Sequence, residues 1–204
     1  MIIIDTEIEL ACLLRTGMPK HFIIIGNGGG GTSLLRGLLN AHSKMTVLFE
    51  DKPGGTPDNE IDRWIDKAKD AETKGLIWAN KRPLEQFNSC KWEGKNYVEL
   101  AKYFKIIWIV RRFSKYIKPQ TKQPYIPEYK KNWKRLKSFY WLTREAYPAG
   151  VIQVSFEDLL LRTVIELKRM CRFIGVQYES AMNQGTLNTG YKRFDQKTIN
   201  IEKI

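Results

Sequence analysis

The chain is short of the residues that staple small domains or build metal sites. Its 204 residues hold three cysteines (Cys12, Cys90, Cys171) and two histidines. Three scattered cysteines make neither a disulfide framework nor a metal-ligand spacing, and with only two histidines a zinc site is not expected. No apolar run approaches the roughly 18–20 residues that a membrane span needs; Phe22–Ile25 and Ile106–Val110 are of strand length. The amino terminus, Met1 to Glu9, is acidic where a secretory signal would be basic, and no small-residue cleavage site follows, so a cytoplasmic protein without a membrane partner is expected. Acid is scarce too. Only 22 Asp and Glu stand against 34 Lys and Arg, a formal charge of +12 with a pI near 9.6. What is plentiful is core material: at 43% hydrophobic and 12% aromatic the chain is not generally disordered. Length favours one domain, residues 1–204. The positive excess asks for an acidic partner.

Strand and helix signals alternate. Phe22–Ile25, Leu76–Ala79, Lys105–Val110 and Val151–Phe156 read as strands. Helices are expected from about Thr32 and over Ile61–Ala71, Asn96–Tyr103, Glu128–Tyr147 and most of Glu157–Ile174, the last stopped by Gly175. Residues 51–60 and the proline-rich Pro119–Pro127 read as loops. This order predicts an α/β protein with a P-loop-like three-layer fold, a central parallel sheet flanked by helices.

The sharpest feature lies between the first strand and the first helix. Five of the six residues Gly26-Asn-Gly-Gly-Gly-Gly31 are glycine, followed by Thr32-Ser33. Such a loop turns backbone N–H groups inward, and a helix N-terminus beyond it adds partial positive charge, so a phosphate or sulfate group is the natural guest. Gly26-x-x-x-x-Gly31 has Walker A spacing, but Thr32 stands where that motif carries lysine. The lysine normally reaches the β- and γ-phosphates, so its absence counts against an ATP or GTP hydrolase. A loop of backbone amides and paired hydroxyls, with no metal, fits better.

At this point the sequence resembles a known family. Phe22–Leu39 is similar to the 5′-phosphosulfate-binding loop of sulfotransferases that use 3′-phosphoadenosine-5′-phosphosulfate (PAPS), commonly G-x-P-R-S-G-T-[TS]-x-L with L-x-A-H-P after it; here Leu39-Asn-Ala-His42-Ser follows. Asn80-Lys81-Arg-Pro83 resembles the N-K-x-P segment of the protein-tyrosine and heparan-type branches and their small bacterial relatives. Ile107-Trp-Ile-Val-Arg111 resembles the strand that ends in a phosphate-binding arginine. Val154-Ser-Phe-Glu-Asp-Leu159, with Leu167–Gly175, resembles the Y-E-D-L and F-L-G segment. The likeness spans about residues 20 to 180.

The resemblance implies a sulfotransferase moving a sulfuryl group from PAPS to a hydroxyl or amine. It places Glu50 as the base that deprotonates the acceptor and Lys81 beside the leaving oxygen. Gly28, Gly29, Gly30, Gly31, Thr32 and Ser33 would hold the 5′-phosphosulfate, Arg111 the 3′-phosphate, and Lys192 and Arg193 a flap over the nucleotide. Two positions depart from the pattern. The loop's usual Arg or Lys is Gly29, and the serine expected eight residues after the arginine is Pro119, with Ser114, Lys115 or Lys118 as candidate substitutes. The alternatives are a P-loop kinase or nucleotide-binding protein, and a non-catalytic nucleotide- or nucleic-acid-binding relic.

Lys102 to Arg144 carries thirteen Lys and Arg against one acid, Glu128, interleaved with aromatics. Three readings stand: a solvated helix face with Trp133, Leu136, Tyr140 and Leu142 turned inward; a surface for an acidic glycan or peptide acceptor; or a nucleic-acid surface. No nucleic-acid motif accompanies the stretch. A small alcohol is also open as acceptor.

Overall fold

The structure, a computed structural model, describes residues 19–48, 56–83, 92–111 and 126–184, with side chains of the last segment from residue 134 on. Five strands form one all-parallel sheet: β1 Phe22–Gly26, β2 Met45–Leu48, β3 Ile77–Pro83, β4 Lys105–Val110 and β5 Val151–Ser155, in the order β2-β3-β1-β4-β5. The most apolar segment, β1, is central and buried throughout, as a strand covered on both faces must be. Six helices are described: α1 Thr32–Asn40, α2 Pro57–Thr73, α3 Gly94–Tyr103, α4 Ile126–Ala146, α5 Phe156–Leu161 and α6 Thr163–Ile174.

Alternation along the strands divides the interior into two cores. Phe22, Ile24, Ile107, Ile109 and Val154 face α1, α5 and α6. Ile23, Ile25, Ile106, Trp108 and Trp78 face α2, α3 and α4. The expected three-layer α/β fold is therefore present. Among the described residues no helix is long and apolar enough to cross a membrane. Cys171, the one described cysteine, lies against Met182, and burial pushes its thiol up to about 11.

Several boundaries differ from the sequence reading, each for a local reason. Residues read as loop up to 60 already belong to α2, because Thr56 caps the helix by accepting from the Asn59 N–H and Pro57 takes the first helical position. The strand read as Leu76–Ala79 runs on to Pro83 through three polar residues. β2, which the sequence reading missed, is a short edge strand. Its Val47 N–H donates to Asn40 Oδ1 at 2.8 Å and its Val47 carbonyl accepts from Arg36 Nε at 3.0 Å, so side chains of α1 secure it. Arg162 (φ −133) separates α5 from α6, where one mostly continuous helix was expected. In α4 the buried stripe is Leu136, Phe139, Tyr140 and Thr143, spaced for one helix face. Leu142 does not turn inward as expected: it falls off that stripe and is 45% exposed. Lys134 and Lys137 are solvated, and Trp133 lies outside the described side chains.

Among the described residues, the second core holds a fully buried ion pair. Arg82 Nη1 donates to Glu60 Oε1 at 2.8 Å, both side chains fully buried, while Trp92 Nε1 donates to Glu60 Oε2 at 3.0 Å. Trp64 lies 5.3 Å from the Arg82 guanidinium. Removing one partner of such a pair costs about 3–5 kcal/mol, whereas replacing both by apolar groups is often neutral. Glu60→Ala is therefore expected to lower the urea midpoint sharply, and Glu60→Met with Arg82→Met to recover most of the loss. A single variant as mild as one at the exposed Lys74–Asp70 pair would contradict this account.

Candidate active site

The glycine loop leaves the carboxyl end of central β1, the position where open parallel sheets collect ligands. Its shape depends on missing side chains. A Cβ at Gly26 would lie 2.7 Å from Ile109 Cγ2, and one at Gly31 would lie 2.3 Å from Phe156 Cδ2. Gly31 (φ +99) is also left-handed and takes the N-cap position of α1, so no side chain caps this helix. No acid stands in its first turn. The first N–H groups of α1 and the positive end of its dipole thus face the loop uncompensated by side-chain charge from that turn. Gly28 and Gly29 form the exposed rim, and Thr32 and Ser33 open the helix. Asn27, two residues before Gly29, is 2% exposed, and neither Oδ1 nor Nδ2 has a hydrogen-bond partner among the described residues. A buried carboxamide without hydrogen-bond partners is costly.

The strands on either side of β1 each bring one cation. On β3, Lys81 pairs in register with Ile24, and the pleat turns it to the face shared by Ile77 and Ala79, the face on which α1 packs. It is 3% exposed. Its neighbour Arg82 points the opposite way, to Glu60. On the other side, Ile109 of β4 pairs with Gly26, and Arg111 follows two residues later. Its Nη1 donates to the Gly29 carbonyl at 3.1 Å, and its guanidinium lies 4.5 Å from the centre of the Phe156 ring. That ring is itself placed by the turn before it: the Ser155 hydroxyl accepts from the Asp158 N–H at 3.2 Å, capping α5, and Phe156 is the first residue after the cap.

Of the residues singled out from sequence, the loop, Lys81 and Arg111 converge at one end of the sheet. Glu50, Lys192 and Arg193 lie outside the described residues, as do Ser114, Lys115, Lys118 and Pro119. Other quoted motif residues are structural. His42 accepts from the Lys44 N–H at Nδ1 (3.0 Å), which leaves Nε2 to donate to the Gln177 carbonyl at 2.8 Å. Lys105, part of the basic stretch, is buried, and its ammonium caps the end of α6 by donating to the carbonyls of Phe173 and Ile174 at 2.6 and 3.0 Å. Sequence reasoning missed Asn27 and Phe156. Both stood within motifs already noted, but their importance depends on burial and on which way the rings and amides turn.

A P-loop-like α/β sheet with a glycine loop at its central strand is the class these features define. Within that class the chain is similar in structure to the sulfotransferase domain from the curacin biosynthetic pathway, with a TM-score of 0.56 at 17% identity over 83% of this chain and 78% of that one. At such identity the likeness establishes the fold. The sulfotransferase domain of the Synechococcus PCC 7002 olefin synthase (TM-score 0.49, 15% identity, 84% and 79% covered) and the sulfotransferase from Alicyclobacillus acidocaldarius (0.47, 15%, 83% and 90%) are more distant. No family model matches the sequence, and no curated protein matches it.

The two left-handed glycines of the loop make separable demands. Gly31→Ala faces both the positive φ and the Phe156 ring, whereas Gly29→Ala faces only the φ of +74, with nothing within 4 Å. Gly29→Ala is expected to cost about 1 kcal/mol. Gly31→Ala should cost clearly more, because the collision adds an overpacking cost of about 1–3 kcal/mol. Thermal unfolding of both variants checks the ranking; equal losses would refute the packing argument.

Proposed function

We propose that the chain is a sulfotransferase that passes a sulfuryl group from PAPS to a hydroxyl or amine. One observation carries this reading: a glycine loop with no acid in it, at the centre of a sulfotransferase-like sheet, is flanked by a cationic side chain from each neighbouring strand, Lys81 and Arg111. The residues present suit an anionic group. The cradle exists because Gly26 and Gly31 lack a Cβ, and neither amide atom of buried Asn27, the second residue of the loop, is hydrogen-bonded among the described residues.

When bound, PAPS supplies an activated sulfuryl group on a phosphate that can depart. The backbone N–H groups of residues 28–31 and the first turn of α1 hold the 5′ end, with hydroxyl donors from Thr32 and Ser33. Lys81 offsets the charge that develops on the bridging oxygen. Glu50, two residues beyond the end of β2, accepts the acceptor's proton. Arg111 binds the nucleotide, and Lys192 and Arg193 close over it. No step of this reading needs a metal: backbone amides and the Thr32 and Ser33 hydroxyls hold the donor.

Calorimetry with 3′-phosphoadenosine-5′-phosphate, in the absence of magnesium, is expected to show binding; none at millimolar ligand, or binding only of ATP with magnesium, would overturn the assignment in favour of a P-loop kinase. With labelled PAPS and a panel of acceptors, Glu50→Gln should lose turnover while keeping nucleotide affinity. Lys81→Met should lower kcat by about 10²–10³, the usual loss for one electrostatic donor.

A further inference from the structure

We infer that Phe156 is a positioning residue of this site: its ring holds the Arg111 guanidinium in place before any donor arrives. The inference rests on the reading above that Arg111 binds the donor nucleotide. The two side chains come from different strand ends, Arg111 one residue after β4 and Phe156 one residue after β5. The guanidinium lies 4.5 Å from the centre of the ring, a distance at which a cation and an aromatic face attract. Its Nη1 also donates to the Gly29 carbonyl at 3.1 Å, so the stacked side chain reaches the glycine loop.

The ring can serve as a support because it is itself held. It is 6% exposed and belongs to the core that faces α1, α5 and α6. It fills the space where a side chain at Gly31 would stand, with Cδ2 2.3 Å and Cε2 2.8 Å from that Cβ position. At its backbone, the Ser155 hydroxyl accepts from the Asp158 N–H at 3.2 Å and fixes the turn from which Phe156 projects. Arginine has many rotamers, and a ligand that must order one loses affinity; a side chain ordered beforehand avoids that loss. An aliphatic residue would not give the same support. Leucine would fill much of the space, but it has no π face on which a planar guanidinium stacks. Phe156 thus acts through Arg111 and not on the donor.

The test is calorimetric titration of 3′-phosphoadenosine-5′-phosphate into the wild-type chain and into Phe156→Leu, Phe156→Tyr, Arg111→Gln and the Phe156→Leu, Arg111→Gln double variant, with Ile174→Val as a control. Ile174 is 1% exposed in the same core, so trimming it lowers stability without touching the stack. Phe156→Leu is expected to weaken binding about three- to thirtyfold, the range of a cation–π contact. Phe156→Met repeats the substitution with a longer side chain, should the leucine variant fail to fold. Phe156→Tyr, which keeps the ring, should bind within about twofold of wild type. Ile174→Val should lower the melting temperature and leave the affinity unchanged. In the Arg111→Gln background, Phe156→Leu should cost less than about twofold, because the charge that the ring positions is gone. A Phe156→Leu chain that binds as wild type does, or one that loses the same factor with and without Arg111, would overturn the inference and leave the sulfotransferase reading standing. A wild-type chain that binds no 3′-phosphoadenosine-5′-phosphate would overturn that reading and the inference with it.

Discussion

The ring of Phe156 occupies the space a side chain at Gly31 would need, approaching within 2.3 Å of the position of its missing Cβ. That contact joins two places far apart in sequence: the turn where β1 becomes α1 and the turn where β5 becomes α5. It fixes the loop from outside, so the loop's shape does not depend on its own weak local preferences. It also makes the ring a platform for Arg111, which ties the end of β4 to the same point. Three carboxyl ends of the sheet are thus locked together through one aromatic side chain. The sequence supports each part of the lock separately, with a glycine that tolerates φ +99 and a serine that caps α5 directly before the ring.

The described cations do different work according to burial. Lys134 and Lys137 are solvated on α4. Lys105 is buried and caps a helix end. Arg82 is buried and paired with Glu60. Lys81 and Arg111 are turned to the glycine loop's face of the sheet. A net charge of +12 is a statement about the surroundings of the molecule; only position separates a solubilising lysine from one aimed at a ligand.

Much of the fold was legible because β1 and β4 carry continuous apolar runs, which few structures other than a doubly covered parallel strand accommodate. The glycine loop was legible for the same reason: five glycines in six residues serve no helix or strand. β2 was not, since four residues at a sheet edge carry too little pattern, and its pairing is secured by Asn40 and Arg36 from a different element. The partners of the site were legible only in part. Arg111 was visible as a cation after a strand, but its direction toward Gly29 depends on Phe156, whose place depends on tertiary packing. The polar half of β3 was hidden because Asn80-Lys81-Arg82 breaks the hydrophobic signal by which strands are recognised.

That polar half is where the demands of stability and of a site separate. β3 is an interior strand between β2 and β1, and its residues 80–82 are all buried. Asn80 is fully buried with neither amide atom hydrogen-bonded among the described residues, and Arg82 needs a buried glutamate to be tolerated. Three consecutive apolar residues would serve the sheet at least as well, since a buried ion pair rarely outperforms a hydrophobic replacement. The role proposed for Lys81 beside the loop accounts for the arrangement. Alternation then sends residues 80 and 82 to the opposite core, beneath Trp64 and Trp92, where Glu60 answers the second cation. Local rules of strand composition are broken at the residues around Lys81, and the compensation for Arg82 is built on the other face.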